Sequence, residues 1–402
     1  MTLAPDPFRS ATHGKRHSAY TVLNDRGPVH LMHRTRSRST WLITGYDEAR
    51  ASLTDPRLVK GGGGANIFGH RLDPALLAAT RTEMLSSDPP DHTRLRKLVS
   101  GAFTMRRIDL LAPRIQQVVD GLLDALVDVE SADLVTTFAY PLPMTVICDL
   151  LGIPEERRAD FRTWSAQIID PAVVGFEVFA EAATDLVGYV RELIATKRAQ
   201  PADDLLSAVI AVRDGSDQLS EDELTSLVIL LLVAGHETTV NFIANATFAL
   251  LTHPEQLALL RAEPARIPAA VEELLRFDGP LQIATQRVAT ETFELGGVTI
   301  SAGDVVLTGL LAANRDTSHL PGADVLDVTR TPTPHLAFGH GIHHCLGAPL
   351  ARLEARIALS SLITRFPDLR LATPTDDLPV GDAVLINALS ALQVTTRPAP
   401  AS

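Results

Sequence analysis

The chain has 402 residues, 46% of them hydrophobic and 21% charged, proportions that are ordinary for a folded globular protein. Its 36 basic and 48 acidic side chains leave a net charge of −12, which argues against a nucleic-acid-binding protein. Only two cysteines occur, which excludes a disulfide scaffold, and residues 1–20 contain no apolar run typical of a signal peptide. The longest apolar run, residues 227–235, is far shorter than the roughly 20 residues that span a bilayer. We therefore expect a cytoplasmic protein that binds neither nucleic acid nor membrane.

The N-terminal region carries strand signals. Residues 29–32 and 40–44 are rich in β-forming side chains and flank a polar stretch, which predicts a hairpin. A helical pattern begins at Tyr46 and ends before Asp55. The glycine run 61–64 lacks the Lys-Ser/Thr of a phosphate loop, so it predicts a mobile loop.

From residue 91 to about 280 apolar residues recur at helical spacing. One segment, Glu221–Thr252, would form a helix over roughly 40 Å long, with Ser220 and Glu223 as its capping box. Residues 227–235 are apolar on every side, so this helix should be buried all round. A tight hairpin is predicted around Gly296–Gly297, and another helix near Pro349.

The sequence therefore predicts one large domain over residues 1–402, mainly α with a smaller β part (α+β). The β-rich parts are expected at about 28–45 and 281–335, and the helical bulk at about 91–280.

The densest chemical motif is residues 338–347, Phe-Gly-His-Gly-Ile-His-His-Cys-Leu-Gly. Cys345 stands just before a helix whose dipole would stabilise a thiolate, and the nearby glycines would let the backbone approach something large and flat. A cysteine thiolate is a known haem ligand. A zinc site built from the histidines and a solvated loop remain alternatives, although the zinc spacing is poor.

Three further patterns carry polar chemistry. Residues 234–239, Ala-Gly-His-Glu-Thr-Thr, interrupt the apolar helix, and HExxH zinc chemistry fails because Val240 replaces the second histidine. Glu273 and Arg276 share a helix face and can pair. His92 and Arg96, four residues apart, suit carboxylates or phosphates. Five basic residues and no acidic ones lie in residues 94–107, which indicates either a solvated face or a docking patch for an acidic partner.

Together, these motifs resemble the cytochrome P450 family of haem-thiolate monooxygenases over residues 20–395, and are most similar to soluble actinobacterial members that tailor macrolides and antibiotics. Residues 338–347 match the family's FGxGxHxCxG loop, so the resemblance implies the P450 fold and haem b, with its iron bound by Cys345. It also implies a long central helix across the haem. Glu273 and Arg276 match the structural ExxR pair.

The resemblance assigns further roles residue by residue. Catalysis falls to the central helix, with Glu237 and Thr238 supplying protons for oxygen activation and Gly235, beside Ala234, leaving room for oxygen. The haem-binding set would comprise His92, Arg96, Arg287, Phe338, Gly339, His343, Cys345 and Gly347. The substrate pocket would be lined by Ile67, Met84, Leu85, Val233, Ala234, Ile283, Ala284, Thr285, Leu385 and Ile386. An acidic ferredoxin, itself reduced by a ferredoxin reductase, would dock on a basic face that includes Arg94, Lys97, Arg106 and Arg107.

Two departures from the family pattern stand out. The arginine that often completes the ExxR network is replaced by Val325. The residue that completes the network around Glu273 and Arg276 is therefore undefined at this point. The glycine run 61–64 lies at the edge of the pocket roof and predicts an unusually mobile roof. Cys148, in an apolar helix, is expected to be buried packing.

The function expected from the resemblance is insertion of one oxygen atom from O2 into a C–H bond, by hydroxylation or epoxidation. The apolar pocket segments favour a bulky lipophilic substrate, and the family resemblance favours a polyketide or macrolide. A steroid, terpene or xenobiotic hydroxylase is the alternative within the family. Outside it, a haem sensor or carrier without turnover and a zinc hydrolase remain as competing classes.

Overall fold

A computed structural model describes residues 6–35, 37–60, 71–101, 103–169, 174–211, 219–373, 375, 377–381 and 383–396. Its helices are α1 His13–Asn24, α2 Tyr46–Ser52, α3 Pro74–Arg81, α4 Asp91–Ser100, α5 Met105–Asp109, α6 Ala112–Asp124, α7 Pro141–Leu151, α8 Arg158–Ile169, α9 Phe176–Ala199, α10 Leu205–Ala211, α11 Glu221–Thr252, α12 Pro254–Ala262, α13 Ile267–Asp278, α14 Leu310–Ala313 and α15 Ala348–Arg365. Its strands are β1 Val29–Arg34, β2 Ser39–Ile43, β3 Leu58–Val59, β4 Ser131–Asp133, β5 Arg287–Ala289, β6 Phe293–Leu295, β7 Val298–Ile300, β8 Val305–Thr308, β9 Arg370–Leu371 and β10 Gln393–Thr395.

The strands form three small sheets. The largest has the order β1-β2-β8-β5-β3 and is antiparallel except for the parallel pair β2 and β8. The second has the order β4-β10-β9, and the third is the hairpin of β6 and β7. The two hairpins expected from the sequence are therefore present, because each is encoded locally by alternating side chains and a turn. In the β6–β7 turn, Gly296 and Gly297 both have positive φ, which glycine adopts without strain.

The chain divides into two compact units. The first comprises Met1–Val59, Leu110–Leu142 and Thr238–Ser402, and it holds every strand of the described chain. The second comprises Lys60–Asp109 and Pro143–Glu237, and its described regular elements are helical. The interpretation of residues 1–402 as a single domain stays a prediction.

Helix α11 has the bounds expected from the sequence, Glu221–Thr252. Its capping box is formed: the Ser220 amide donates to Glu223 Oε2 at 2.8 Å, and the Glu223 amide donates to Ser220 Oγ at 3.1 Å. By length and composition alone this helix could cross a membrane, but 61% of its apolar window is buried inside the protein. Most of α11 is therefore buried, as the apolar side chains on all of its sides predict.

The core of the first unit that supports the Cys345 region lies between α11, α13 and α15. Phe242, Leu274 and Leu359 represent the three helices in it, and each is at most 2% exposed. Phe338, at the start of the cysteine loop, packs against the same cluster. The loop is therefore anchored on a close-packed helical layer.

The second β-rich region is shorter than expected. Its last strand ends at Thr308, and residues 310–335 form α14 and turns. Backbone carbonyls there, including those of Asn314 and Ala323, accept hydrogen bonds from the buried Arg276 guanidinium instead of from a neighbouring strand. The glycine run 61–64 lies outside the described residues.

Candidate active site

The Cys345 loop is shaped by glycine. Gly339 and Gly341 have φ values of 70° and 73°, which L-residues rarely adopt. A Cβ built on Gly341 would lie 2.7 Å from Thr54 Cγ2, so this position also requires close approach of the backbone. The Cys345 amide donates to the Phe338 carbonyl at 2.9 Å, which closes the loop.

Cys345 lies at the N-terminal end of α15, whose N-cap is Gly347. Its side chain is exposed, whereas Cys148 is fully buried and its burial raises the pKa of the Cys148 thiol to about 11. The exposed sulfur next to a helix N-terminus is thus the cysteine suited to bind iron as a thiolate.

The histidines of the loop do not support the zinc alternative. Across the described chain, the loop histidines do not gather with Cys345 into a set of three metal ligands. His335 instead approaches Glu272, with Nε2 3.2 Å from Oε2. The donor chemistry of this loop fits a haem bound by one thiolate rather than a tetrahedral zinc ion.

The predicted pair Glu273–Arg276 is formed and buried. Arg276 Nε and Nη2 donate to the two Glu273 oxygens, each at 2.7 Å. The side chains are only 4% and 2% exposed, so the bidentate geometry is needed to offset their desolvation. A second arginine that the sequence interpretation missed, Arg330, donates from Nε to Glu273 Oε1 at 3.2 Å. Val325, where an arginine was expected, contributes only its carbonyl, which accepts from both arginines.

Hydrogen bonds connect this pair to the cysteine loop. Arg276 Nη1 donates to the Asn314 carbonyl at 2.9 Å, and the Leu336 amide donates to Asn314 Oδ1 at 2.6 Å. The Leu336 carbonyl in turn accepts from the Gly339 amide at 2.8 Å. Because every link is a short hydrogen bond with little exposure, the ExxR pair fixes where the loop begins.

A second ionic cluster holds Phe338. Arg352, on α15, donates to both Glu272 oxygens at 2.7 and 2.8 Å, and its guanidinium carbon lies 4.4 Å from the centre of the Phe338 ring. Burial alone would raise the pKa of Glu272, but its hydrogen bonds to His335 and Arg352 outweigh this and lower the pKa to about 2. Glu272 is therefore ionised at neutral pH and orients the guanidinium over the ring.

The central turn of α11 belongs to the second unit up to Glu237. Ala234 is exposed and Glu237 keeps 25% of its side chain exposed, although most of the helix is buried. A Cβ on Gly235 would lie 2.9 Å from Ile147 Cδ1, so the glycine accommodates α7. That observation gives Gly235 a packing role, and its role in leaving room for oxygen stays a prediction. Thr238, the next residue, is half-buried.

His236 is a core histidine. It is 1% exposed, its Nδ1 lies 2.7 Å from the Leu232 carbonyl, and its Nε2 lies 3.3 Å from Ser165 Oγ. Burial lowers the pKa of His236 to about 4, so the ring is neutral. The 3.6 Å approach of His236 Nε2 to Glu237 Oε2 is therefore not an ion pair at neutral pH.

The residues expected to hold haem propionates lie in both units. In the second unit, His92 is buried and Arg96 half-buried on α4. In the first unit, Arg287 is buried and donates to the Leu58 and Leu53 carbonyls at 3.0 and 3.1 Å, while His343 is half-buried in the cysteine loop. Their role as propionate ligands stays a prediction.

Part of the predicted pocket lining is brought together within the first unit. Ile283 and Leu385 belong to one hydrophobic cluster, and just before Ile283 the Gln282 amide donates to the Leu385 carbonyl at 2.9 Å. The Ala284 amide donates instead to the Thr308 carbonyl at 2.8 Å. In the second unit, Met84 is buried, Leu85 and Val233 are half-buried and Ala234 is exposed. Ile67 lies outside the described residues.

The basic segment is partly paired. Arg94 forms an ion pair with Glu223 of the capping box. Lys97, Arg106 and Arg107 are exposed. The interpretation as a docking face for an electron donor stays a prediction, with Arg94 already engaged inside the second unit.

Comparisons of the sequence and of the structure with known proteins agree on one protein family. The family model for "Cytochrome P450" matches residues 175–380. The chain is 46% identical over 384 residues to cytochrome P450 monooxygenase PikC of Streptomyces venezuelae, covering 94% of this chain and 90% of that protein. It is 42% identical over 403 residues to 6-deoxyerythronolide B hydroxylase of Saccharopolyspora erythraea, covering 98% and 99%. The solved structure of the tirandamycin C-bound P450 monooxygenase TamI matches with a TM-score of 0.84 and 43% identity, covering 95% and 97%.

The chain belongs to the cytochrome P450 family. It is accordingly a haem-thiolate monooxygenase that uses O2 and electrons from redox partners on lipophilic substrates. The predicted family, mainly α fold with a smaller β part, enzyme class and haem cofactor are confirmed. The roles of individual residues stay predictions.

The supporting residues that sequence interpretation missed are Arg330, Asn314, Glu272 and Arg352. Their partners are distant in the chain: Arg330 reaches Glu273 across 57 positions and Arg352 reaches Glu272 across 80. Glu272 stands next to Glu273 in the sequence, and that doubled acid was the one available signal.

Proposed function

We propose that Cys345 is the proximal ligand of the haem iron and that the enzyme hydroxylates or epoxidises a bulky lipophilic substrate of the polyketide or macrolide class. The observation that carries the ligand assignment is the exposed Cys345 thiol at the N-terminus of α15, on a loop fixed by two positive-φ glycines. The buried Cys148 lacks both properties.

The bound haem supplies oxygen activation, with the thiolate increasing electron density on the iron. The chain's own groups position and protect that chemistry. The dipole of α15 stabilises the negative charge on Cys345 Sγ, and the Glu273–Arg276 pair fixes the start of its loop through Asn314. Glu237 and Thr238 deliver protons from the half-exposed turn of α11, while neutral His236 takes no part.

The ligand assignment is tested by the absorption spectrum of the reduced protein with and without carbon monoxide. A strongly red-shifted Soret band in the wild type, lost in Cys345→Ser and kept in Cys148→Ala, is the expected result. A haem band without that shift in the wild type would indicate a histidine-bound carrier or sensor. No haem at all would overturn the assignment.

The proton-delivery roles are tested by NADH-driven turnover with a ferredoxin and its reductase. Glu237→Ala and Thr238→Ala should lower product formed per NADH consumed. Proton relays of this type contribute about 10²-fold or more, so full coupled turnover in Glu237→Ala would contradict the role. Thr239→Ala serves as the neighbouring control, because Thr239 is buried.

Substrate class is proposed from two lines of support. One relative is named as a hydroxylase of 6-deoxyerythronolide B, and one solved neighbour is bound to tirandamycin C. Ile283, Ala284, Leu385 and Ile386 are apolar, and Ile283 and Leu385 belong to one hydrophobic cluster. A panel of macrolactones, steroids, terpenes and fatty acids, read by the spin-state shift of the haem, tests the class; binding of steroids or terpenes but not macrolactones would favour the alternative.

We also propose that a ferredoxin docks at Lys97, Arg106 and Arg107, in a cytoplasmic setting. These side chains are exposed, and so is Met105, at 58%, which adds an apolar contact. Charge reversal of Arg106 and Arg107 should slow electron transfer, with the effect weakening as salt rises. Lys15→Glu, an exposed lysine on α1, is the matched control; equal effects would reject this face.

A further inference from the structure

Two histidines one turn apart on α1 converge with a carboxylate at the end of α13. His13 Nε2 lies 2.7 Å from Asp278 Oδ2, and His17 Nε2 lies 3.1 Å from Asp278 Oδ1. The two Nε2 atoms are themselves 3.1 Å apart. None of these side chains belongs to the cysteine loop, the ExxR network or the central turn of α11, so the cluster lacks a role in the monooxygenase chemistry described above.

The spacing of the three side chains suits a metal ion, since one donor atom from each lies within 4.8 Å of the other two. Zinc bound tetrahedrally at about 2.0–2.1 Å holds neighbouring ligand atoms about 3.3 Å apart, close to the 3.1 Å between the two Nε2 atoms. Imidazole nitrogen and carboxylate oxygen are ligands that zinc accepts readily. The His13 and His17 side chains keep 11% and 10% of their surface exposed.

The carboxylate of the cluster is fully buried. The Asp278 side chain has no exposed surface, and the His13 and His17 side chains beside it are nearly buried. A buried carboxylate must be paired or must coordinate a metal, so Asp278 needs the partners that this cluster supplies.

A supporting shell orients the carboxylate. Asn387 Nδ2 donates to Asp278 Oδ1 at 2.8 Å, and Arg16 Nη1 donates to Asn387 Oδ1 at 3.1 Å. The Phe248 ring meets the His13 ring edge-on, with centroids 5.3 Å apart. Hydrogen-bonded partners behind the ligands and an apolar wall beside them are features of protein metal sites.

We propose that His13, His17 and Asp278 form a binding site for a divalent first-row transition-metal ion, with Zn²⁺ as its occupant and water as the fourth ligand. The ion would tie α1 to the end of α13, two residues after Arg276 of the ExxR pair. The function of this ion is structural. The proposed site does not depend on which substrate or which electron donor the enzyme uses. The alternative is a hydrogen-bonded triad that never takes up metal.

The test uses the haem-loaded protein after dialysis against a chelator. Calorimetric titration with Zn²⁺ should show one equivalent bound per chain, and the zinc-edge absorption spectrum should show nitrogen and oxygen neighbours at about 2.0–2.1 Å. His17→Gln and Asp278→Asn should weaken binding by about 100-fold or more, beyond the effect of losing a supporting residue. His319→Gln is the matched control, because His319 also approaches a carboxylate, Asp47, but at the surface.

Haem content per chain verifies that each variant is folded. Absence of saturable zinc binding in the stripped wild type would overturn the proposal, and so would unchanged affinity in folded His17→Gln. If neither ligand variant folds, the wild-type spectrum decides alone: a sulfur neighbour at about 2.3 Å would place the ion at a cysteine and reject this site.

Discussion

Arg330 Nε lies 3.2 Å from Oε1 of Glu273, the same carboxylate oxygen that accepts a 2.7 Å hydrogen bond from Arg276. One nearly buried carboxylate is thus shared by two guanidinium groups. Both arginines also reach the carbonyl of Val325. The position where the family often has an arginine is therefore compensated by an arginine five residues later, and the ExxR network is complete in this chain.

Replacing Arg330 by glutamine should lower the free energy of unfolding by about 1.5–3 kcal/mol, the worth of hydrogen bonds to a charged group. The loss stays below that of Glu273→Ala, about 3–5 kcal/mol, because the latter leaves Arg276 as an uncompensated buried charge. Urea denaturation of the haem-bound protein measures both. Val325→Ala is the control and should change stability by no more than about 0.5 kcal/mol, since its side chain is 56% exposed. Equal changes in the free energy of unfolding for Val325→Ala and Arg330→Gln would mean that Arg330 does not stabilise the ExxR network.

Replacing Gly341 by alanine should disturb the cysteine loop more than its backbone angle alone requires. The left-handed conformation costs about 1–2 kcal/mol for an L-residue, and the new Cβ would also meet Thr54 Cγ2 at 2.7 Å. Gly303→Ala is a matched control, because Gly303 has φ of 87° with open space around the built Cβ. The midpoint temperature of thermal unfolding and the haem content per chain should both fall further in Gly341→Ala than in Gly303→Ala. Equal losses in the two variants would show that the contact with Thr54 relaxes freely.

Gly235 and Ile147 should be energetically coupled. Alanine in place of a helical glycine gains about 1 kcal/mol of helix propensity, but overpacking against Ile147 costs about 1–3 kcal/mol, so Gly235→Ala should be neutral or destabilising. Ile147→Val removes Cδ1, the atom 2.9 Å from the built Cβ, and leaves Cγ1 at 3.1 Å, so in that background Gly235→Ala should be better tolerated. A double-mutant cycle measured by denaturant unfolding should therefore give about 1 kcal/mol of coupling. Additive effects would contradict a packing role for Gly235.

Locally encoded features could be predicted from the sequence. The bounds of α11 follow from its capping box and its continuous apolar run, and the β6–β7 hairpin follows from two glycines between short β-forming segments. The cysteine loop was predictable because the residue types of its turn are fixed by backbone geometry and by the chemistry of the thiolate.

Long-range features could not be predicted in the same way. Helix α1 buries His13, Arg16, His17 and Tyr20, so its inward face is mostly polar and its sequence lacks an apolar stripe. The cluster with Asp278 joins residues about 260 positions apart, and no local pattern encodes such a contact. Sequence periodicity reports apolar burial, and it is silent where polar side chains are buried by pairing with one another.

The free energy of unfolding should fall as pH rises through neutrality because of Glu354, which lies within α15. Burial raises the pKa of Glu354 from 4.5 to about 8, and within the described chain its Oε2 has no hydrogen-bond partner. The folded protein therefore holds a proton that the unfolded chain has released above about pH 4.5, so the stabilisation is complete below that pH and is lost as pH rises through about 8. The stability of the protein is thus linked to the proton on Glu354.

Glu354→Gln removes this pH dependence, because glutamine does not titrate. The free energy of unfolding of Glu354→Gln minus that of the wild type should rise between pH 5.5 and 8 by up to about 1.4 kcal/mol per pH unit. Urea denaturation of the haem-bound proteins at four pH values measures the slope, with the surface pair residue Glu263→Gln as control; parallel curves for Glu354→Gln and wild type would contradict the buried neutral carboxyl.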